Sequence, residues 1–230
     1  GPDVQDMFLE QLNDAGQYLT PDGYQDFEIR SEVIKVKDKP DVALNVRISR
    51  HGPVISDVSE SSRDAADASG NNYALAFAWT ALSDDDLTLQ AVFKFNQATN
   101  WEEFSNALQD FHVPQQNIVY ADVNGNIGFY APAKIPVRKS GDGTMPVPGW
   151  TGEYDWTGFV PFEELPHVYN PESSEVVTAN NKIVPEGYRY FLGNDWAEPY
   201  RINRITELLG QVQKHSLETF ASIQHDQTSL

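Results

Sequence analysis

The sequence predicts an α+β fold, and three observations carry that reading. Polar and β-branched residues alternate with period two over 27–36 and 42–48, an Asn124-Gly125 pair stands between two apolar-rich runs, and apolar side chains recur at helical spacing after Thr99 and again from Ile202. At 230 residues the chain suffices for one large domain or two small ones, with a sizeable buried core.

The elements follow in order. Residues 27–36 and 42–48 read as two paired strands, with Lys37-Asp38-Lys39-Pro40-Asp41 as the loop between them. Residues 56–72, rich in Ser, Asp, Ala and Gly, read as a surface loop, and 73–79 as a buried strand. Thr99 followed three residues on by Glu102 has the pattern of a capping box, and Trp101, Phe104, Leu108 and Phe111 then mark a helix. Over 117–130 the Asn-Gly pair predicts a hairpin with a type I′ turn. The D-x-N-x-N spacing from Asp122 to Asn126 is not an EF-hand, because Ile127 occupies the place of the obligatory glycine and no Glu stands at the twelfth position. Residues 134–171, crowded with Pro, Gly and Trp, predict irregular packed loops. Such rings can grip a sugar or another flat ligand, but more often they pin loops to a core. Ile202, Ile205, Leu209 and Val212 form one face of a helix, and a second short helix is expected to begin at Ser216 as its cap.

Composition narrows the function. A formal net charge of −18 excludes nucleic acid as a partner, since phosphate recognition needs a basic face, and it leaves carboxylates available to cations such as calcium. With no cysteine, the chain has no thiol nucleophile, zinc-thiolate site or disulfide. No apolar run approaches the roughly 20 residues that span a bilayer, so no membrane partner is expected. The abrupt opening at Gly1-Pro2-Asp3-Val4 and the ending at Gln227-Thr228-Ser229-Leu230 lead us to expect a segment excised from a longer protein.

The chemistry centres on Val176-Val177-Thr178-Ala179-Asn180-Asn181, an apolar run that ends in tandem amides. An amide NH2 fixed at the end of a strand is a neutral donor that can be aimed at a developing oxyanion. Asn pairs at strand ends are also common turn formers, and both readings stand at this point. The five histidines show no tight metal-ligand spacing, and His51 reads as a turn or packing residue. There is no G-x-S-x-G elbow and no glycine-rich phosphate loop, and the paired acids at Asp84-Asp85-Asp86 and Glu163-Glu164 read as solvated.

A collinear series of motifs adds to this: Asp3-Val4-Gln5-Asp6-Met7-Phe8, R-I-S-R-H-G-P-V (47–54), A-W-T (78–80), Y-A-D-V-N-G-N-I-G (120–128), P-V-P-G (146–149), Y-D-W-T-G-F-V-P-F-E (154–163), Y-N-P (169–171), A-N-N (179–181) and R-I-N-R-I-T-E-L-L (201–209). In this order they resemble the β subunit of the penicillin acylase family. These are N-terminal-nucleophile hydrolases that include penicillin, cephalosporin and acyl-homoserine-lactone acylases.

The resemblance implies part of an αββα sandwich with an inserted β-rich portion. About 10–115 would form the insertion plus a helix, and 116–230 the portion with the oxyanion Asn and the C-terminal helices. It implies an amidohydrolase acting on small N-acyl amides through an N-terminal Ser upstream of Gly1, whose α-amine serves as base. The backbone donor of the oxyanion hole would also lie upstream, so the segment alone is expected to be inactive. Asn180 matches the side-chain donor to the oxyanion, and Arg201 matches an Arg beside it. Trp79 and Gln116 fall at acyl-pocket positions. Asp3 and Asp6, with the carbonyl of Gln5, match ligands of a structural calcium, although no acid stands in register at Tyr188-Arg189-Tyr190, where a later ligand is expected, which leaves open whether the site is complete in this segment. No organic cofactor is implied. The expected partners are the rest of the precursor, namely the α subunit and the N-terminal part of the β subunit, and the expected location is periplasmic or secreted. The rival expectation is a secreted, calcium-dependent binding module that holds its ligand with Trp-rich loops.

Overall fold

The computed structural model describes residues 3–70 and 72–228; Gly1, Pro2, Asn71, Ser229 and Leu230 lie outside the described residues. In chain order the strands are β1 (Gln5–Gln11), β2 (Tyr18–Thr20), β3 (Gly23–Gln25), β4 (Glu28–Ile34), β5 (Val42–Ser49), β6 (Gly52–Pro53), β7 (Tyr73–Trp79), β8 (Ile118–Ala121), β9 (Ile127–Tyr130), β10 (Pro136–Arg138), β11 (Val147–Pro148), β12 (Trp156–Phe159) and β13 (His167–Tyr169). The helices are α1 (Glu60–Asp67), α2 (Thr88–Phe95), α3 (Trp101–Leu108), α4 (Tyr200–Gly210) and α5 (Leu217–Gln224). The class is α+β, as expected. Among the described residues no helix is long and apolar enough to cross a membrane.

β1 is central to the first sheet, antiparallel to β7 from Gln5↔Trp79 to Gln11↔Tyr73 and parallel to β11 at Phe8↔Val147. Its side chains alternate, with Asp6, Phe8 and Glu10 buried on one face. The α3 helix packs on the hairpin of β8 and β9, and Phe104, Leu108, Phe111, Tyr130, Ile135 and Leu165 form the core between them. Trp101 seals it, stacking on Tyr169 at 4.9 Å and lying so close to Gly128 that a Cβ there would stand 2.4 Å from the ring. The strands predicted at 27–36 and 42–48 pair as β4 and β5, and β4 is exposed along its whole length.

Four local expectations are corrected. The loop expected over 56–72 contains α1. Its Ser59 cap accepts the N–H of Ser62, and Ala66 is its one buried residue, so a mostly polar helix looks like a loop in composition. The cap of α3 is Asn100 rather than Thr99. Asn100 Oδ1 accepts from Glu103 N at 2.9 Å while the Glu103 carboxylate accepts from Thr99 N at 2.8 Å, the same reciprocal logic one residue later. The hairpin turn is not type I′, because only Gly125 (φ 85°), and not Asn124, is left-handed. The Asp122 carboxylate closes the turn instead, accepting from the N–H groups of Asn124 and Asn126 at 2.9 and 3.0 Å. Finally, residues 176–181 form no strand among the described residues: Thr178 is held by the Asn117 side chain at 2.6 Å, and Asn180 turns left-handed at φ 62°. α4 carries Ile202, Ile205 and Leu209 of the predicted face but ends before Val212, and Ser216 caps α5 in a capping box with Thr219.

Candidate active site

The two amides at the end of the 176–181 run have different partners. Asn181 bonds its own surroundings, its Oδ1 accepting from Ala179 N at 3.1 Å and its Nδ2 donating to Lys182 O at 3.0 Å. Asn180 adopts the left-handed conformation that Asn tolerates better than most residues, and its backbone carbonyl accepts from Ala197 N at 2.8 Å. Arg201, in the first turn of α4, donates through Nη2 to Asn180 Oδ1 at 2.9 Å and to Ala179 O at 2.7 Å. A guanidinium has only donors, so the amide must present its oxygen to Arg201 and its NH2 away from it. Among the described residues nothing accepts a hydrogen bond from that NH2. Both residues are exposed, so the pair stands at the surface of this chain.

The two pocket positions are placed apart. Gln116 is exposed beside Asn117, whose link to Thr178 ties it to the Asn180 segment. Trp79 ends β7 and lines a cleft of about 450 Å³ with Phe8, His51, Asp155, Trp156 and Phe159. Arg201 borders a different groove, along α4 and α5.

Asp3, Gln5 and Asp6 do meet, but around an internal cation. Arg138 Nε and Nη2 each lie 2.8 Å from an Asp6 oxygen, and Nη2 also donates to Asp3 Oδ2 at 3.0 Å and reaches Gln5 O at 3.4 Å. Trp156 Nε1 adds a bond to Asp6 Oδ2 at 2.5 Å. Burial pushes the Asp3 carboxyl up, partly opposed by the Gln5 N–H and by Arg138. With both Asp6 oxygens engaged and a guanidinium among the ligands, this donor set does not fit a calcium ion, which takes six to eight oxygens.

His51 is more than the packing residue expected. Its ring stacks on Phe8 at 3.8 Å, with Nδ1 2.8 Å from Glu10 Oε1 and Nε2 3.1 Å from Asp155 Oδ1. Arg50 grips the same Asp155 through two bonds of 2.7 Å. Burial tends to raise the Asp155 carboxyl, but the bonds from Arg50 and His51 outweigh it and hold the group below the usual carboxylate range. The signal for this network lay in Gln5–Gln11, where alternation puts two acids on the buried face of a strand. Buried acids demand cationic or donor partners.

Comparison with known proteins fixes the class. The chain belongs to the penicillin amidase family, whose model matches residues 1–230. It is 34% identical to the acyl-homoserine lactone acylase QuiP of Pseudomonas fluorescens (strain Pf0-1) over 230 residues, 99% of this chain and 27% of that protein. It is also 34% identical to penicillin G acylase of Escherichia coli over 220 residues, 92% of this chain and 24% of that protein. Among solved structures, the thermostable penicillin G acylase from Alcaligenes faecalis superposes with a TM-score of 0.80 at 26% identity, covering 97% of this chain and 39% of that one. The chain thus spans about a quarter of the length of the curated relatives it matches.

Proposed function

We propose that this chain is part of an acylase that hydrolyses N-acyl amides of the penicillin-like or acyl-homoserine-lactone-like class, and that Asn180 supplies one donor of its oxyanion hole. The observation that carries this reading is the Asn180 amide, held by Arg201 at 2.9 Å with its NH2 facing outward. In the proposed reaction the hydroxyl of an N-terminal Ser, outside this chain, adds to the amide carbonyl carbon while its own α-amine takes the proton. The carbonyl electrons move onto oxygen, where Asn180 Nδ2 and a backbone N–H hold the developing charge. Collapse breaks the C–N bond, the leaving amine takes the proton back from the ammonium, and an acyl ester remains. Water, activated by the same amine, then releases the acid and restores the Ser. Arg201 fixes the amide's direction, and its permanent charge favours the neutral, basic form of a nearby amine. The 230-residue chain alone, lacking that nucleophile, is expected to be inactive.

The test is a pair of variants in the full processed enzyme. Asn180→Asp keeps an oxygen for Arg201 and tolerates the same backbone, but it replaces the donor with a second acceptor. Turnover should fall about 10²–10³-fold, the usual cost of one oxyanion donor, with melting temperature retained. Asn181→Asp keeps the acceptor for Ala179 N and should leave turnover near wild type. An Asn180→Asp enzyme with wild-type kcat would sink the assignment.

A further inference from the structure

We propose that Arg138 is a built-in cation that takes the place of a divalent metal at the Asp3–Gln5–Asp6 cluster, so that this protein needs no calcium there. The guanidinium reaches all three oxygen-bearing groups that the family resemblance gives to a metal: Asp6 through Nε and Nη2 at 2.8 Å, Asp3 at 3.0 Å and the Gln5 carbonyl at 3.4 Å. The Arg138 and Asp6 side chains are only 5% and 3% exposed, while Asp3, 26% exposed, faces a cavity of about 230 Å³ that also borders Gln5 and Asp6. Two further features suit a guanidinium and not a metal ion. Trp156, paired with Arg138 across β10 and β12, spends its N–H on Asp6 Oδ2 at 2.5 Å, an oxygen that a metal would need. Next to the Tyr188-Arg189-Tyr190 stretch, where a later oxygen ligand is expected, Phe191 presents its ring 6.0 Å from Arg138 Cζ. Gly143 lets the chain pass close to the ion pair, since a Cβ there would stand 2.1 Å from Asp6 Oδ1 and 2.6 Å from Arg138 Nη2. A divalent ion would have to displace the guanidinium or lie against a like charge.

The consequence concerns structure, and it holds whether or not Asn180 is the oxyanion donor. The ion pair joins β1 to a ribbon 132 residues away in sequence, the task a bound metal would otherwise perform. The experiment uses the intact protein that carries this chain, dialysed against chelator, with the metal alone as probe. Millimolar calcium should leave its melting temperature unchanged, and terbium should give no emission sensitised by Trp156. Stoichiometric terbium emission that Trp156→Phe abolishes, together with a calcium-raised melting temperature, would overturn the proposal. The Arg138→Gln variant should melt several degrees lower in chelator and acquire terbium emission through Trp156. An Arg138→Gln protein that melts like wild type in chelator would equally refute it, and if that variant does not fold, the wild-type measurement decides alone.

Discussion

Replacing His51 with Phe probes the frame beneath the site in a way that can be worked through in numbers. The Phe ring retains the stack on Phe8, now 3.8 Å between centroids and within 3° of parallel, so the loss is confined to the two ring nitrogens. Glu10 is 0% exposed and its Oε2 already has no partner, so without His51 only the Ser49 hydroxyl at 2.6 Å remains to it. Removing a hydrogen-bond partner from a buried polar group costs about 1–3 kcal/mol. Asp155 adds little to the loss, since it keeps both Arg50 bonds and its side chain is 30% exposed. Chemical denaturation of the intact protein, followed by tryptophan fluorescence, should therefore place His51→Phe about 2–3 kcal/mol below wild type. Glu10→Gln in the same background should recover more than about 1 kcal/mol, because a neutral amide no longer needs the imidazole. A His51→Phe protein within about 0.5 kcal/mol of wild type, the range of an ordinary surface substitution, would refute the reasoning.

Two further outcomes follow from single contacts. Gly52 has φ 121°, and a Cβ there would lie 2.3 Å from the Phe77 carbonyl oxygen, so Gly52→Ala should cost more than about 2 kcal/mol in the same denaturation assay. Asp226, bonded by Arg204, is lowered to about 2 in the folded chain, so its contribution is present above the ordinary carboxylate value and is lost as pH falls through about 2. Hydrogen exchange over 217–225, corrected for intrinsic rates, should show protection falling between about pH 4 and 2 in wild type and little further pH dependence in Asp226→Asn.

The legible parts of the fold were those in which residue type repeats at a fixed period or an apolar run stands unbroken. The β4–β5 ribbon, the buried β7 strand and the faces of α3 and α4 all satisfy that condition. α1 did not, because a helix that buries only Ala66 has almost no apolar stripe to read. The turn after β8 was misread for a different reason: a carboxylate two residues before Asn124 sets the turn type. Asn180 and Arg201 are separated by 21 residues, and only the start of α4 brings them together. No spacing rule predicts that contact, and the family's collinear motifs were what pointed to it. Arg138 and Asp6, separated by 132 residues, gave no local sign of each other.

β1 connects these observations. A strand that buries Asp6 and Glu10 on one face is a poor choice for stability alone, since apolar residues of similar volume often do better than buried ion pairs. It is a strong choice for register. A slip of one residue against β7 would carry Asp6, Phe8 and Glu10 to the opposite face and strand Arg138 and His51 without partners. Register matters here because the same strand leads directly to the candidate site. Asp3 N, just before β1, donates to Leu192 O at 2.6 Å, and the segment that follows returns through Ala197 N to the Asn180 carbonyl at 2.8 Å. From there Arg201, on the first turn of α4, closes on the Asn180 amide. The direction of that NH2 is thus tied through main-chain bonds to a strand whose acids admit one alignment. The buried carboxylates of β1 therefore help to fix where the Asn180 amide points, which is the direction that the proposed function depends on.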